Sequence, residues 1–104
     1  MTTPLLRSAA ALLLGAGAAA WAQDADLGRN LAATCANCHG TNGQARGDAV
    51  MPLAGVPADK IVALVGDFKS GARPATIMHQ IAKGYSDDQI RAIAAFFAAQ
   101  PARK

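Results

Sequence analysis

The chain has 104 residues, with ten lysines and arginines against seven aspartates and glutamates and a formal net charge of +3. This length is typical of one small domain. The charge is mild and the basic residues form no stripe interleaved with aromatic side chains, so the composition does not favour nucleic-acid binding.

Residues 1–22 have the pattern of a secretory signal peptide. Arg7 precedes an uncharged run rich in alanine, leucine and glycine, and the AWA tripeptide at 20–22 has the small-x-small pattern of a cleavage site. The apolar run is shorter than the ~20 residues that a membrane-spanning helix needs. We therefore predict a periplasmic protein that is cleaved after Ala22, leaving a single domain over 23–104 without a membrane span. Losing Arg7 takes the basic count from ten to nine against seven acidic residues, a net charge of +2.

The remaining chain is predicted to be all-α, with four helices. They are expected over 24–38, 57–70, 74–83 and 86–100. The second has apolar residues spaced i, i+3, i+4 and i+7, and the fourth opens with Ser86 and Gln89 at capping-box spacing. Glycines crowd the stretch 39–55, which we predict to be a long functional loop.

The first predicted helix ends in a Cys-x-x-Cys-His motif. On a helix, Cys35, Cys38 and His39 stand at i, i+3 and i+4, so their side chains project from one face. This motif is the attachment signature of c-type haem, in which two thiols bind the vinyl groups and the imidazole binds the iron. We predict one covalently bound haem c, around which the four helices wrap.

Three other chemistries use cysteine pairs. A thioredoxin-like dithiol is expected in a βαβ setting, which this sequence lacks. A structural disulfide would not need His39. A zinc site needs four ligands, and the chain holds no second cysteine pair.

The ligand on the other face of the iron decides the function. Methionine there favours electron transfer, whereas an open position suits gas or peroxide chemistry. The candidates are Met51, Met78 and His79. Met78 shares a helix ridge with Ile81, which is expected to face the macrocycle, and His79 is turned about 100° away. We predict Met78 as the ligand.

Residues 24–100 resemble a class I cytochrome c. Within them, "DFKSGARPATIMHQIAKGYSDDQI" is similar to the cytochrome subunit of flavocytochrome c sulfide dehydrogenase. The resemblance implies that Met78 is the second iron ligand and that the Pro52 carbonyl accepts a hydrogen bond from His39. It also implies that the first and last helices cross at Gly28, against Phe96 or Phe97.

This resemblance implies a periplasmic monohaem electron carrier rather than an enzyme. Some cytochrome subunits of this family carry two haem domains, whereas this chain has one haem motif. It would accept electrons from a sulfide-oxidising flavoprotein subunit containing FAD and pass them to a redox acceptor protein. One alternative is a general shuttle of the c4 or c5 type without a dedicated flavoprotein. Another is a haem enzyme or sensor with an open iron site.

Overall fold

The computed structural model describes the backbone of residues 16–103 and the side chains of residues 26–103. Within that part the chain forms four α-helices and one 3-10 turn and contains no strand, as predicted. The elements are α1 (Ala16–His39), the 3-10 turn (Thr41–Gly43), α2 (Ala58–Ser70), α3 (Met78–Ala82) and α4 (Asp87–Ala98).

Helix α1 begins at Ala16, eight residues before its predicted start at 24. The added residues are rich in alanine, which has the highest helix propensity. The predicted cleavage after Ala22 falls inside α1, while residues 1–15 lie outside the described residues, so the signal peptide stays a prediction. Across the described ranges, no helix combines the length and the apolar character that crossing a membrane requires.

Helix α3 is shorter than predicted, because it begins at Met78 and not at Pro74. Its first i to i−4 backbone hydrogen bond runs from the Ile81 N–H to the Ile77 carbonyl, over 3.2 Å. Thr76 and Ile77 are β-branched, which lowers their helix propensity. Residues 74–77 therefore form an irregular connection that leads into α3.

The capping box predicted for the last helix is confirmed. The Ser86 hydroxyl accepts from the Gln89 N–H at 3.2 Å, and the Gln89 side-chain oxygen accepts from the Ser86 N–H at 2.9 Å. Both donors would otherwise lack partners in the first turn of α4. The two bonds therefore fix where α4 starts.

Helix α4 supplies most of the core. Phe97 and Ala94 are fully enclosed and pack with Ile93 against Ala32 of α1 and Ile61 of α2. The predicted crossing of α1 and α4 at Gly28 is confirmed, because the backbone of α4 lies directly against this glycine. A Cβ atom placed on Gly28 would lie 2.9 Å from the Ala92 carbonyl oxygen and 3.7 Å from Cβ of Phe96. The aromatic residue at the crossing is Phe96, and Phe97 lies deeper, against the loop that follows α1.

Candidate functional site

The motif residues occupy the last two turns of α1. Cys35 is half-buried and packs against the core, Cys38 is exposed, and both thiols are free. Burial raises the pKa of the Cys35 thiol above its usual value, because the thiolate would lose hydration there. No disulfide joins the pair. In the part of the chain that the structure describes, no three His, Cys, Asp or Glu side chains are grouped to hold a metal ion by themselves.

A backbone carbonyl fixes the His39 ring. The Nδ1 atom lies 2.6 Å from the carbonyl oxygen of Met51. A carbonyl only accepts hydrogen bonds, so Nδ1 must be the donor, and in the neutral ring Nε2 keeps its lone pair. Nε2 is therefore the atom that can bind a metal, and the bond at Nδ1 orients the ring for it.

Pro52 is not the residue that accepts this bond, so that prediction is wrong by one residue. The Leu53 and Ala54 N–H groups both donate to the Gly43 carbonyl, at 2.9 and 3.1 Å. These bonds fasten the loop to the 3-10 turn with the Met51 carbonyl next to His39. Pro52 is exposed and lines a separate cleft near the C-terminus.

Gly43 is a site residue that the sequence pattern marked only as a turn former. It is buried with a φ of 78°, in the left-handed region that favours glycine. A Cβ atom there would lie 2.7 Å from the Ala54 nitrogen and 2.8 Å from Cδ1 of Phe97. Gly43 thus lets the loop lie on the core closely enough for Met51 to reach His39.

The three candidates for the second iron ligand have different surroundings. Met78 is half-buried at the first position of α3. The Met51 side chain is 43% exposed, and its backbone is bound to the His39 ring. His79 is half-buried, and its enclosed Nδ1 atom has no hydrogen-bond partner among the described residues.

The ring of His79 lines a cleft of about 330 Å³ between the end of α2 and α3. Phe68, Arg73 and Lys83 also line this cleft, and Met78 does not. His79 therefore borders a cleft that Met78 does not line, which agrees with the turn of about 100° between neighbouring helical residues.

The residues present fit a haem group. The two thiols can form thioether bonds to the vinyl groups of haem c, the imidazole Nε2 can bind its iron, and a methionine thioether is a known second ligand of such iron. Three exposed large apolar residues are Met51, in the loop after the motif helix, and Ile77 and Ile81, which lie on either side of Met78 in sequence. Their exposed fractions are 43%, 58% and 36%. A flat apolar macrocycle would cover such side chains.

Comparison with known proteins identifies the family, because the cytochrome c family model matches residues 25–100. The chain belongs to the cytochrome c family. Its cofactor is covalently bound haem c and its function is electron transfer, so both predictions are confirmed at this level.

Two curated relatives and one solved structure relate this cytochrome to sulfur-compound dehydrogenases. It is 39% identical over 71 residues to the cytochrome subunit of sulfide dehydrogenase of Chlorobaculum tepidum, over 67% of this chain and 63% of that subunit. It is 43% identical over 77 residues to the thiosulfate dehydrogenase electron acceptor of Stutzerimonas stutzeri, over 72% of this chain and 36% of that protein. Thiosulfate dehydrogenase of Marichromatium purpuratum matches with a TM-score of 0.70 and 33% identity, over 74% of this chain and 19% of that one. The matched segment thus spans less than two thirds of each of these three chains.

Proposed function

We propose that this cytochrome is a periplasmic single-haem electron carrier whose haem is attached through Cys35 and Cys38 and ligated by His39 and Met78. The observation that carries the proposal is the 2.6 Å hydrogen bond from His39 Nδ1 to the Met51 carbonyl, which leaves Nε2 available at the end of the motif helix. Haem bound there supplies a reversible one-electron iron couple. The loop orients the His39 ring, and Met78 lies at the first position of α3. In this proposal these two side chains would fill both coordination positions of the iron.

Met78 is favoured over the other two candidates by their surroundings. The backbone of Met51 is hydrogen-bonded to the ring of His39, which would be the other ligand, and His79 lines the cleft beside Phe68. A methionine ligand also suits a carrier, because it favours the higher potentials typical of electron transfer.

The attachment and the ligands are tested on protein produced with a haem-attachment system. We expect one covalent haem per chain by mass spectrometry, and loss of one thioether bond in Cys35→Ser and in Cys38→Ser. The ferric protein should show the weak far-red sulfur-to-iron band, which Met78→Ala removes. Met51→Leu and His79→Gln are the matched controls and should keep the band. Loss of the band in either control, with retention in Met78→Ala, would overturn the ligand assignment.

The electron donor that we favour is a sulfide-oxidising flavoprotein. The relative from Chlorobaculum tepidum is the cytochrome subunit of a sulfide dehydrogenase, which supports this class of donor. The test mixes the ferric cytochrome anaerobically with an FAD-containing sulfide dehydrogenase subunit and sulfide, and follows haem reduction by stopped flow. Reduction no faster than by sulfide alone would rule out this donor and leave the carrier function standing.

A thiosulfate-oxidising dehydrogenase is the second candidate donor. It is favoured by the 43% identity to the thiosulfate dehydrogenase electron acceptor and by the match to a solved thiosulfate dehydrogenase. The same assay with that enzyme and thiosulfate separates the two. If neither donor reduces the haem in preference to unrelated redox proteins, the general shuttle of the c4 or c5 type is the better description.

Export to the periplasm is tested separately from haem attachment and electron transfer. Cell fractionation should place the haem protein in the periplasm, and sequencing of its N-terminus should begin at Gln23. A full-length protein retained in the cytoplasm would contradict both the signal peptide and the haem attachment that follows export.

A further inference from the structure

A hydrogen bond between distant parts of the chain connects α1 with the turn between α3 and α4. The Tyr85 hydroxyl lies 2.6 Å from the Thr34 hydroxyl, 51 positions away in sequence. Thr34 also donates to the Leu31 carbonyl, at 3.1 Å. A threonine hydroxyl has one hydrogen to give, so Tyr85 is the donor and Thr34 the acceptor in this bond.

Tyr85 is held at its backbone as well. Its carbonyl accepts a part-buried hydrogen bond of 2.7 Å from the Lys69 ammonium group of α2. The same ammonium lies 3.6 Å from a carboxylate oxygen of Asp87, in the first turn of α4. That carboxylate is 80% exposed, so the ion pair contributes little beside the hydrogen bond. Tyr85 thus ties together α1, α2 and the start of α4.

The bond joins α1, which carries His39, to the turn that directly follows α3, which carries Met78. Thr34 directly precedes Cys35 on the motif helix, and Met78 lies seven residues before Tyr85. Helix α3 has only five residues and packs on α2. Among the residues whose side chains are described, the Thr34–Tyr85 bond is the only side-chain hydrogen bond from α1 to the chain beyond α2. Few other hydrogen bonds therefore fix the segment from Met78 to Tyr85, called the Met78 segment below, relative to α1.

We propose that Tyr85 is a positioning residue, which through Thr34 holds the Met78 segment at a fixed place over the motif helix and so keeps Met78 on the iron. The inference rests on the proposed function, because it takes Met78 as the ligand. Without the bond, the segment would spend a larger fraction of time displaced.

The experiment measures that fraction by competition. Imidazole binds the ferric iron only when Met78 has left it, so its apparent affinity scales with the population of the displaced state. A hydrogen bond of ordinary net strength corresponds to about a two- to tenfold change in that population. We expect Tyr85→Phe and Thr34→Val each to raise the apparent imidazole affinity by about two- to tenfold. The apparent imidazole affinity of the double variant should be only slightly higher than that of each single variant, because both substitutions remove the same hydrogen bond.

Two further variants separate positioning from general stability. Thr34→Ser keeps the hydroxyl and should retain the wild-type imidazole affinity. Ser70→Ala removes a hydroxyl that donates to the Asp67 carbonyl and accepts from the Ala72 N–H, with no bond to another described helix. This variant should leave the affinity unchanged. Unchanged affinity in Tyr85→Phe and Thr34→Val, or effects that simply add in the double variant, would overturn the inference. So would lower thermal stability in both variants without a change in imidazole affinity.

Failure of the underlying proposal is distinguishable from failure of this inference. If wild-type ferric protein lacks the far-red sulfur-to-iron band, Met78 is not the ligand, and both fall. If the band is present in the wild type and imidazole displaces it with equal affinity in every variant, only the role of Tyr85 is wrong.

Discussion

The crossing of α1 and α4 can be tested with the same substitution at two glycines. Gly28 lies in α1 at the crossing, and Gly66 lies inside α2. Apart from the adjacent backbone of α2 itself, no described atom lies within 4 Å of the position that a Cβ on Gly66 would occupy. Replacing glycine by alanine inside a helix gains ~1 kcal/mol from helix propensity at either site. Comparing the two variants therefore cancels the propensity gain and leaves the effect of the contact.

At Gly28 the new Cβ would lie 2.9 Å from the Ala92 carbonyl oxygen. That oxygen belongs to the backbone of α4 and cannot rotate away, so the helices must separate. Such overpacking costs roughly 1–3 kcal/mol. We therefore expect Gly66→Ala to be more stable than wild type by ~1 kcal/mol, and Gly28→Ala to be less stable than Gly66→Ala by roughly 1–3 kcal/mol.

The assay is thermal unfolding of the ferric protein followed by far-UV circular dichroism. For a domain of this size, 1 kcal/mol shifts the midpoint by about 4–8 °C. Gly66→Ala should raise the midpoint by about that much, and Gly28→Ala should fall clearly below it. An equal rise in both variants would show that α1 and α4 do not approach each other at Gly28, and would refute the packing of the motif helix described above.

Gly43→Ala should lower the free energy of unfolding, measured in guanidinium chloride, by more than ~2 kcal/mol. The alanine would have to adopt a left-handed φ, and its Cβ would lie less than 3 Å from atoms of Ala54 and Phe97. A loss below ~0.5 kcal/mol would contradict this geometry. Ser86→Ala removes one half of the capping box and should cost ~1 kcal/mol in the same assay, whereas an unchanged midpoint would mean that the box does not hold α4. Arg73 and Lys83 line one cleft and form no ion pair among the described side chains. If these two cations attract a negatively charged electron donor, Arg73→Gln and Lys83→Gln should slow haem reduction by such a donor at low salt more than Lys60→Gln does. Equal reduction rates in all three variants would show that the cleft does not steer the donor electrostatically.

The sequence predicted the features that depend on local chemistry. The capping box at Ser86 needs residues three positions apart, and the Cys-x-x-Cys-His motif needs one helix, so both follow from spacing alone. The contact at Gly28 was predicted from resemblance, and the structure assigned its aromatic partner to Phe96.

The features that sequence reasoning missed depend on how distant segments meet. Which carbonyl reaches His39 is decided by the bonds of Leu53 and Ala54 to Gly43, so the prediction of Pro52 failed by one residue. The late start of α3 reflects the irregular connection over 74–77, which proline position alone did not reveal. The hydrogen bond from Tyr85 to Thr34 joins residues 51 positions apart, and no local sequence pattern predicts it.

Carbon monoxide binding to the ferrous protein tests the central claim most directly, since the claim is that the protein fills both iron positions and transfers electrons without an open site. The account predicts no rapid spectral change when carbon monoxide is added to reduced wild-type protein, and ready binding in Met78→Ala. Ready binding by the wild type would contradict it, and would make the enzyme or sensor with an open iron site the better description.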